Sequence, residues 1–426
     1  MPEIAHLHSA GPRCLSGARL PAWCRPNGHT LSDVWLERGQ VTRVTPHEPA
    51  AAPAAPDPGV WSLDGAPLLP GVIEPHAHLD KAYTVHRSPP QAPGLLAAIE
   101  ASHADEANWT HADLRQRAER ALRDALAAGV RTLRTHVSWF APETPRAWGV
   151  YRELREEWAD RVELECVNIS PLQLFADAAV ADRLARTVAA TPGGVLGGWV
   201  HTTNFDETAL RHLLQAAASH GLRVDLHADE ELDARACGVA TTARLALAMG
   251  LHGRIACSHA CALSVQDPAT ALGTLDAVAA AGIGLISLPS TNLFLQDAKT
   301  GRTPRLRGIT LVHEALARGI PVAFGSDNVQ DAFNPVGRHD PVAALELAVM
   351  AAHVRPAFDA GSALICDPAA LSAGTRLTSL VGSAADLVIF HGSDASAQAW
   401  PADVTGRVVL RAGKVVAGAW PGVDAA

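Results

Sequence analysis

The hydrophobic and polar positions follow one pattern at the two ends of the chain and another in its middle. Residues 33–46 and 406–420 alternate apolar and polar side chains around a turn signal, which is Arg38-Gly39 in the first segment and Gly413 in the second. Alternation with a period of two is typical of strands with one buried face, so each segment predicts a β-hairpin. The two hairpins could form one sheet. A Pro/Ala-rich stretch between the first hairpin and residue 70 predicts an exposed loop.

Between about residues 70 and 375, a different unit recurs: an Ala/Leu-rich amphipathic helix, a glycine, and a short apolar run that ends in a polar residue. The glycines of these units are Gly129, Gly221, Gly250, Gly282 and Gly319. Glycine often follows a helix in the left-handed conformation, and short runs of Val, Ile and Leu are typical of strands buried on both faces. Alternating helices and buried strands predict a parallel sheet, and several successive units favour a (β/α)8 barrel over an open doubly wound sheet.

Composition narrows the class of protein. The chain has 426 residues, 48% of them hydrophobic and 19% charged, which excludes disorder for most of it and suits one large domain plus a small one. A net charge of −9 offers no basic face for nucleic acid. We find no signal peptide and no apolar run of the roughly 18 residues that a membrane span needs, so we expect a cytoplasmic protein without a membrane partner. The seven cysteines lack a C-x-x-C pair and predict buried, reduced thiols.

Polar residues that end the apolar runs are the candidates for chemistry, because active sites of such barrels lie at the carboxyl ends of the strands. These residues are His76, His78, His136, His227 with Glu230, His259 and Asp327. His76 and His78 are two apart, which places both imidazoles on one face of a strand. The alternative for this pair alone is two surface histidines in a chain that has 20. Together with the other strand ends, the pair predicts a metal site instead. No glycine-rich phosphate-binding motif follows any predicted strand.

Five segments, in order along the chain, resemble the cytosine deaminase branch of the amidohydrolase superfamily: PGVIEPHAHLDKA, RTHV, HADE, SHA and FGSDNVQDAFNPVG. The resemblance implies a distorted (β/α)8 TIM barrel over residues 70–375 and a small β-sandwich domain built from both chain ends, residues 1–69 and 376–426. It also implies one divalent metal ion, bound by His76, His78, His227 and Asp327. Three imidazoles and one carboxylate suit Zn²⁺ or Fe²⁺. Because none of the three lysines follows a central strand, where related barrels bridge two metals, we expect a single ion.

The resemblance assigns chemical roles beside the metal. Glu230 would carry a proton from the attacking water to a ring nitrogen, His259 would stabilise the developing charge, and Asp327 would relay the last proton to the leaving amine. The alternative for Glu230 is a solvated loop carboxylate. For His136, a packed core histidine is as good an interpretation as a functional one.

The resemblance implies a small N-heterocycle as the substrate, but the residues that would contact it differ from those of that branch. Cytosine deaminases of this kind carry Pro-Gln after a strand and a second Asp after the metal-binding Asp, whereas this chain has Pro171-Leu172-Gln173 and Asn328. Gln173, Asn328 and Phe333 are the candidate substrate-binding residues; for Phe333 a core position is an equal alternative. Because an amide donates as well as accepts hydrogen bonds, we expect a related cyclic amidine, ureide or triazine instead of cytosine itself.

Three functions remain open at this stage. The first is a deaminase that releases ammonia, and the second is an amidohydrolase that releases an alkylamine, as the N-isopropylammelide amidohydrolases do, which the Leu79-Asp80-Lys81 segment also resembles. The third is a non-catalytic protein on the same fold, which the complete set of predicted ligands disfavours. A homo-oligomer is expected.

Overall fold

The computed structural model describes residues 11–25, 29–48, 57–372, 374–392, 400 and 406–420. Most of the Pro/Ala-rich stretch lies outside these residues. The strands, in chain order, are β1 Cys14–Ala18, β2 Ser32–Glu37, β3 Gln40–Pro46, β4 Val60–Ser62, β5 Leu68–Pro70, β6 Val72–Ala77, β7 Val130–Ser138, β8 Glu163–Ile169, β9 Gly194–Val200, β10 Val224–Ala228, β11 Ile255–His259, β12 Gly284–Ser287, β13 Val322–Phe324, β14 Leu387–Phe390, β15 Arg407–Arg411 and β16 Lys414–Ala417. The α-helices are α1 Leu95–Asp105, α2 His111–Ala128, α3 Arg146–Glu157, α4 Ala178–Ala189, α5 Glu207–Ser219, α6 Gly238–Met249, α7 Pro268–Ala280, α8 Pro289–Leu295, α9 Val312–Ala317, α10 Pro341–Ala351 and α11 Ala363–Cys366.

Strands β6 to β13 form one eight-stranded sheet in which spatial order follows chain order. All the ladders within it are parallel. The sheet closes where Ala77, at the end of β6, pairs with Asp327, just beyond β13. The Asp327 N–H donates to the carbonyl oxygen of His76 at 2.9 Å across this seam. The chain therefore forms the predicted (β/α)8 barrel.

The five predicted helix–glycine–strand units are all present. They join α2 to β7, α5 to β10, α6 to β11, α7 to β12 and α9 to β13. Each of the five glycines lies in the left-handed region, with φ between 63° and 93°. A side chain in this conformation is strained, which is why glycine ends these helices.

Strands β8 and β9 belong to the barrel, although the sequence shows no helix–glycine–strand unit there. Strand β9 has the sequence GVLGGWV, whose glycines weaken the apolar pattern. Its Gly197 is required by packing, because a Cβ atom there would lie 2.4 Å from the carbonyl oxygen of Asn168. The pattern was therefore obscured by a close approach of neighbouring strands, which sequence periodicity does not report.

Both predicted end hairpins are present. β2 and β3 turn through Arg38-Gly39, and β15 and β16 turn through Ala412-Gly413, with positive φ at all four residues, as a two-residue hairpin turn requires. The expectation that they share one sheet is wrong. The first belongs to the sheet β3-β2-β1-β4 and the second to the sheet β16-β15-β14-β5.

The two end sheets bury a common apolar core, with Val34 and Leu36 from one sheet and Leu387 and Val408 from the other. Strand β5, from the N-terminal part, pairs with β14 from the C-terminal part. The predicted small β-sandwich from both chain ends is therefore present. The domain limits 1–69, 70–375 and 376–426 stay a prediction.

Two further sequence predictions can be compared with the structure. All seven cysteines are free and six are buried, but Cys237 is exposed, which corrects the expectation of buried thiols at that position. Within the described part of the chain, no helix has both the length and the apolarity to cross a membrane.

Candidate active site

The predicted metal ligands converge at the carboxyl ends of the barrel strands. His76 lies in β6, His78 directly after it, His227 in β10 and Asp327 after β13, and all four are buried. His76 and His78 share one face of their strand because side chains alternate along it. Closure of the barrel brings His227 and Asp327, which are far away in the chain, to the same point.

The distances between the ligand atoms fit one metal ion. The Nε2 atom of His78 lies 3.3 Å from Nε2 of His76, 3.2 Å from Nε2 of His227 and 3.2 Å from Oδ1 of Asp327. Oδ1 of Asp327 is 3.5 Å from Nε2 of His76. Ligands at about 2.1 Å from a tetrahedral ion lie about 3.4 Å from one another. The three histidines can therefore bind a single ion, and Asp327 lies next to two of them.

Electrostatics support the same conclusion. Burial lowers the pKa of His76 and of His227 well below the usual value, which keeps both imidazoles neutral and their lone pairs free for a metal. Both carboxylate oxygens of Asp327 are buried and have no hydrogen-bond partner among the described residues. An unpaired buried carboxylate facing neutral imidazoles is costly unless a cation lies between them.

Behind the ligands, a chain of buried polar groups orients His76. Nδ1 of His76 lies 2.8 Å from Oγ of Ser258, and that hydroxyl donates to Oδ1 of Asp225 at 3.2 Å. Oδ2 of Asp225 accepts from Arg134 at 2.7 Å, and Arg134 also donates to Glu165. Such partners fix the tautomer and ring orientation of a metal-binding histidine.

Sequence analysis missed these supporting residues. Arg134 and Asp225 each stand two positions before a strand-end histidine, His136 and His227 respectively. Because side chains alternate along a strand, the spacing of two could have indicated that they point into the barrel. Nothing in the sequence, however, indicated which of them pair with each other.

His136 lies beneath the metal ligands. Its ring stacks on His76 with 3.8 Å between centroids, and it is fully buried. It does not line the active-site cavity formed by the described residues. Its carbonyl oxygen lies 3.2 Å from Nδ1 of His78, so its backbone orients a metal ligand. The geometry favours a packing and positioning role for this residue.

Glu230 and His259 lie beside the metal ligands in the same cavity. Oε1 of Glu230 is 3.6 Å from Nδ1 of His259, too far for a hydrogen bond. Burial raises the pKa of Glu230 well above that of an ordinary glutamate, and Asp327 raises it further. Burial therefore favours the protonated form of this carboxyl group, as a proton donor to substrate requires. The alternative of a solvated loop carboxylate does not fit a side chain this buried.

His259 presents a hydrogen-bond donor to the cavity. Burial lowers its pKa to about 4, so the imidazole is neutral. Nδ1 lies 3.1 Å from the amide nitrogen of Asn292, which donates to it, so the ring proton belongs on Nε2. Nε2 is buried and has no partner among the described residues. It is free to donate to a substrate or to the attacking oxygen.

The cavity above these residues has a volume of about 290 Å³. Its lining residues are His78, Lys81, Leu95, Ile99, Ser102, His103, Phe140, Ile169, Pro171, Trp199, His227, Glu230, His259, Asp327, Asn328 and Phe333. Apolar and aromatic walls with a few polar groups at one end are typical of small-molecule sites. The sequence did not place Trp199 or Lys81 in the cavity, because the glycines of β9 obscure the strand that carries Trp199 and Lys81 lies beyond the end of β6.

Of the predicted substrate-binding residues, the structure brings Asn328 and Phe333 to the cavity but not Gln173. Gln173 is exposed and lies in a 3₁₀ turn, while Pro171 lines the cavity in its place. The prediction for Gln173 is therefore not supported: a turn after β8 directs its side chain outward. The amide nitrogen of Asn328 donates to Oδ2 of Asp331 at 2.7 Å, so its donor is already engaged.

A (β/α)8 barrel with these candidate ligands at its strand ends indicates a metal-binding enzyme. The profile of the amidohydrolase family matches residues 149–417. A pterin deaminase of Rhizobium rhizogenes is 36% identical over 420 residues, which cover 94% of this chain and 93% of that protein. The chain belongs to the amidohydrolase family and is a metal-dependent hydrolase acting on carbon–nitrogen bonds.

Solved structures show the same fold. The 5-methylcytosine deaminase of Klebsiella pneumoniae superposes with a TM-score of 0.80 at 25% identity, covering 96% of this chain and 98% of that one. The N-isopropylammelide isopropylaminohydrolase of Burkholderia multivorans superposes with a TM-score of 0.73 at 23% identity, covering 95% and 97%. The predicted resemblance to the amidohydrolase superfamily is confirmed.

Proposed function

We propose that this protein deaminates an amino-substituted N-heterocycle and releases ammonia, with a pterin-like bicyclic ring as the preferred substrate. The observation that carries the proposal is the convergence of three histidines and an unpaired carboxylate beside Glu230 at the polar end of an apolar cavity. The 36% identity to a pterin deaminase supports the choice of ring.

One divalent metal ion per chain, Zn²⁺ or Fe²⁺, would be held by His76, His78, His227 and Asp327. When bound, such an ion supplies a water molecule with a pKa lowered towards about 7, which can attack the ring carbon. A single ion is supported by the three histidines that lie together, with Asp327 next to His76 and His78. A cytoplasmic location and a homo-oligomeric assembly stay predictions.

The residues beside the ligands would move the protons. Glu230 would accept a proton from the attacking water and donate it to a ring nitrogen, a task suited to a carboxyl group with a raised pKa. The Nε2–H of His259 would donate to the developing oxyanion. Asp327 would pass the last proton to the amino group, which leaves as ammonia while the ring carbon gains its oxygen.

The cavity walls would hold the ring. Phe140, Trp199 and Phe333 line the cavity and offer aromatic faces, and Leu95 and Ile99 of α1 cover another side. At about 30 Å³ per water molecule, a 290 Å³ cavity equals the volume of roughly ten waters. A cavity of that size has room for a bicyclic ring as well as for a single pyrimidine ring.

The second candidate is an amidohydrolase that releases an alkylamine from an N-substituted triazine. It is supported by the fold shared with the N-isopropylammelide isopropylaminohydrolase. The apolar wall of Leu95, Ile99 and Phe140 could accommodate an alkyl substituent.

A substrate panel separates these candidates. The metal-loaded protein is incubated with pterin, cytosine, 5-methylcytosine and N-isopropylammelide, and ammonia and isopropylamine are measured separately. Ammonia from pterin with the highest kcat/KM is the expected result. The Glu230→Gln variant serves as a control for contaminating activity. Isopropylamine as the main product would replace the proposal with the second candidate, and turnover of none of the four rings would refute both.

A further inference from the structure

Lys81 supplies a positive charge to the wall of the cavity. Among the described lining residues it is the sole lysine or arginine, and its side chain is largely buried. Its Nζ atom lies 6.0 Å from the centre of the Phe333 ring. The mechanism described above gives this amine no task.

The position of Lys81 is fixed from behind by Arg117 of α2. Nη1 of Arg117 donates to the carbonyl oxygens of Asp80 at 2.7 Å and of Ala82 at 3.1 Å. Arg117 also pairs with Asp113 on its own helix. The backbone of the turn that carries Lys81 is therefore held against α2, beside the cavity.

Two groups approach the amine, but just one can accept a hydrogen bond from it when a metal is bound. Nδ1 of His78 is 3.2 Å away and Oδ1 of Asp80 is 3.4 Å away. Since Nε2 of His78 faces the other metal ligands, its lone pair is needed there and the ring proton must be on Nδ1. That N–H donates to the carbonyl oxygen of His136 at 3.2 Å, so Nδ1 cannot accept from Lys81.

Asp80 therefore remains as the acceptor for Lys81 among the described residues. The other oxygen of Asp80 already accepts from the backbone N–H of Ser138 at 2.8 Å. An ammonium group has three N–H donors, so at least one lacks an acceptor at the surface of an apolar cavity. A buried donor without an acceptor is unfavourable, and a ligand oxygen would satisfy it.

We propose that Lys81 donates a hydrogen bond to a carbonyl oxygen on the substrate ring and so selects amino-oxo heterocycles over rings that carry the amino group alone. The inference rests on the proposed function, which it deepens by naming the substrate class. A neutral carbonyl suits the site because the Asp80 carboxylate already balances the charge of the ammonium group.

Binding to the metal-loaded Glu230→Gln protein tests this inference apart from turnover. Dissociation constants are measured by calorimetry for two matched pairs: pterin against 2-aminopteridine, and cytosine against 4-aminopyrimidine. The second compound of each pair lacks the ring oxygen. Lys81→Met is added to the Glu230→Gln background, and Lys299→Met provides a matched control because Lys299 is exposed. Metal content and thermal unfolding are recorded for each protein.

Of pterin and cytosine, the one that binds more tightly should bind the Lys81→Met protein about 10- to 100-fold more weakly. The dissociation constant of the matched compound without the ring oxygen should change by less than about threefold. Lys299→Met should change neither. Should Lys81→Met fail to fold because Asp80 is left unpaired, Lys81→Gln retains a donor and should give a smaller loss of the same selectivity.

Equal weakening of both compounds of a pair would overturn the inference, because it indicates a structural role. Unchanged binding of both compounds, or no binding of either oxo compound to the Glu230→Gln protein, would overturn it as well. Failure of the proposed function is recognised separately, by the absence of turnover in the protein with Glu230 intact.

Discussion

Replacing Ser258 with alanine should weaken metal binding without touching a metal ligand. The hydroxyl of Ser258 lies 2.8 Å from Nδ1 of His76 and donates to Asp225 at 3.2 Å. All three side chains are buried, so water does not readily replace the lost group. Ser258→Ala leaves Nδ1–H of His76 without an acceptor and removes one donor from Asp225.

The expected magnitude follows from these two lost hydrogen bonds. Loss of a group that orients a metal-binding histidine typically costs 10- to 100-fold in metal affinity, or about 1.4–2.7 kcal/mol. Asp225 adds to the effect: burial raises its pKa to about 6 even with Arg134 and Ser258 lowering it, and removing one donor destabilises the charged form further.

Competition with a chromogenic chelator measures the dissociation constant of Zn²⁺ directly. The matched control is Ser264→Ala, because the exposed Ser264 side chain donates to the carbonyl oxygen of Cys261 at 2.7 Å and to no metal ligand. The control should change the constant by no more than about twofold. Thermal unfolding of the metal-free proteins separates weaker binding from a damaged fold. An unchanged constant for Ser258→Ala, or an equal loss in both variants, would refute the positioning role of Ser258.

Three further outcomes are expected. Glu230→Gln should lower kcat by about 10² or more in a steady-state assay while the metal stays bound. His227→Ala should instead lose the metal. A near-native kcat for Glu230→Gln would assign Glu230 a structural role. Removal of the metal with a chelator should abolish turnover. It should also lower Tm in calorimetry, because the Asp327 carboxylate is then left buried and unpaired. Elemental analysis should return one metal per active chain, and two metals would contradict the single site. Asn328→Asp should destabilise the protein by about 1–3 kcal/mol in chemical denaturation and lower its activity. The Asn328 amide nitrogen now donates to Oδ2 of Asp331 at 2.7 Å, and the substitution would place a second carboxylate there. A stable variant with a shifted preference for cytosine would instead show that this residue contacts the ring.

Local patterns in the sequence predicted the barrel and the residues of the candidate metal site. The helix–glycine–strand units predicted a parallel barrel because left-handed glycines and short buried apolar runs are local properties. His76 and His78 were identified as a pair because side-chain alternation along a strand is also local. His227 and Asp327 were identified because they end predicted strands, and the resemblance then assigned them as metal ligands; the structure brings His227 next to His78 and Asp327 next to His76 and His78.

Contacts between polar groups far apart in the chain could be read only from the folded barrel. Ser258 reaches His76 across 182 positions of the chain, and Arg134 reaches Asp225 across 91, because closure of the barrel makes distant strand ends neighbours. The assignment of the two hairpins to separate sheets depended on how the chain ends pack around the barrel. Periodicity reports which face of an element is buried but not what it is buried against. For that reason the sequence indicated where chemistry occurs, while the contacts of Lys81, Ser258 and Gln173 had to come from the fold.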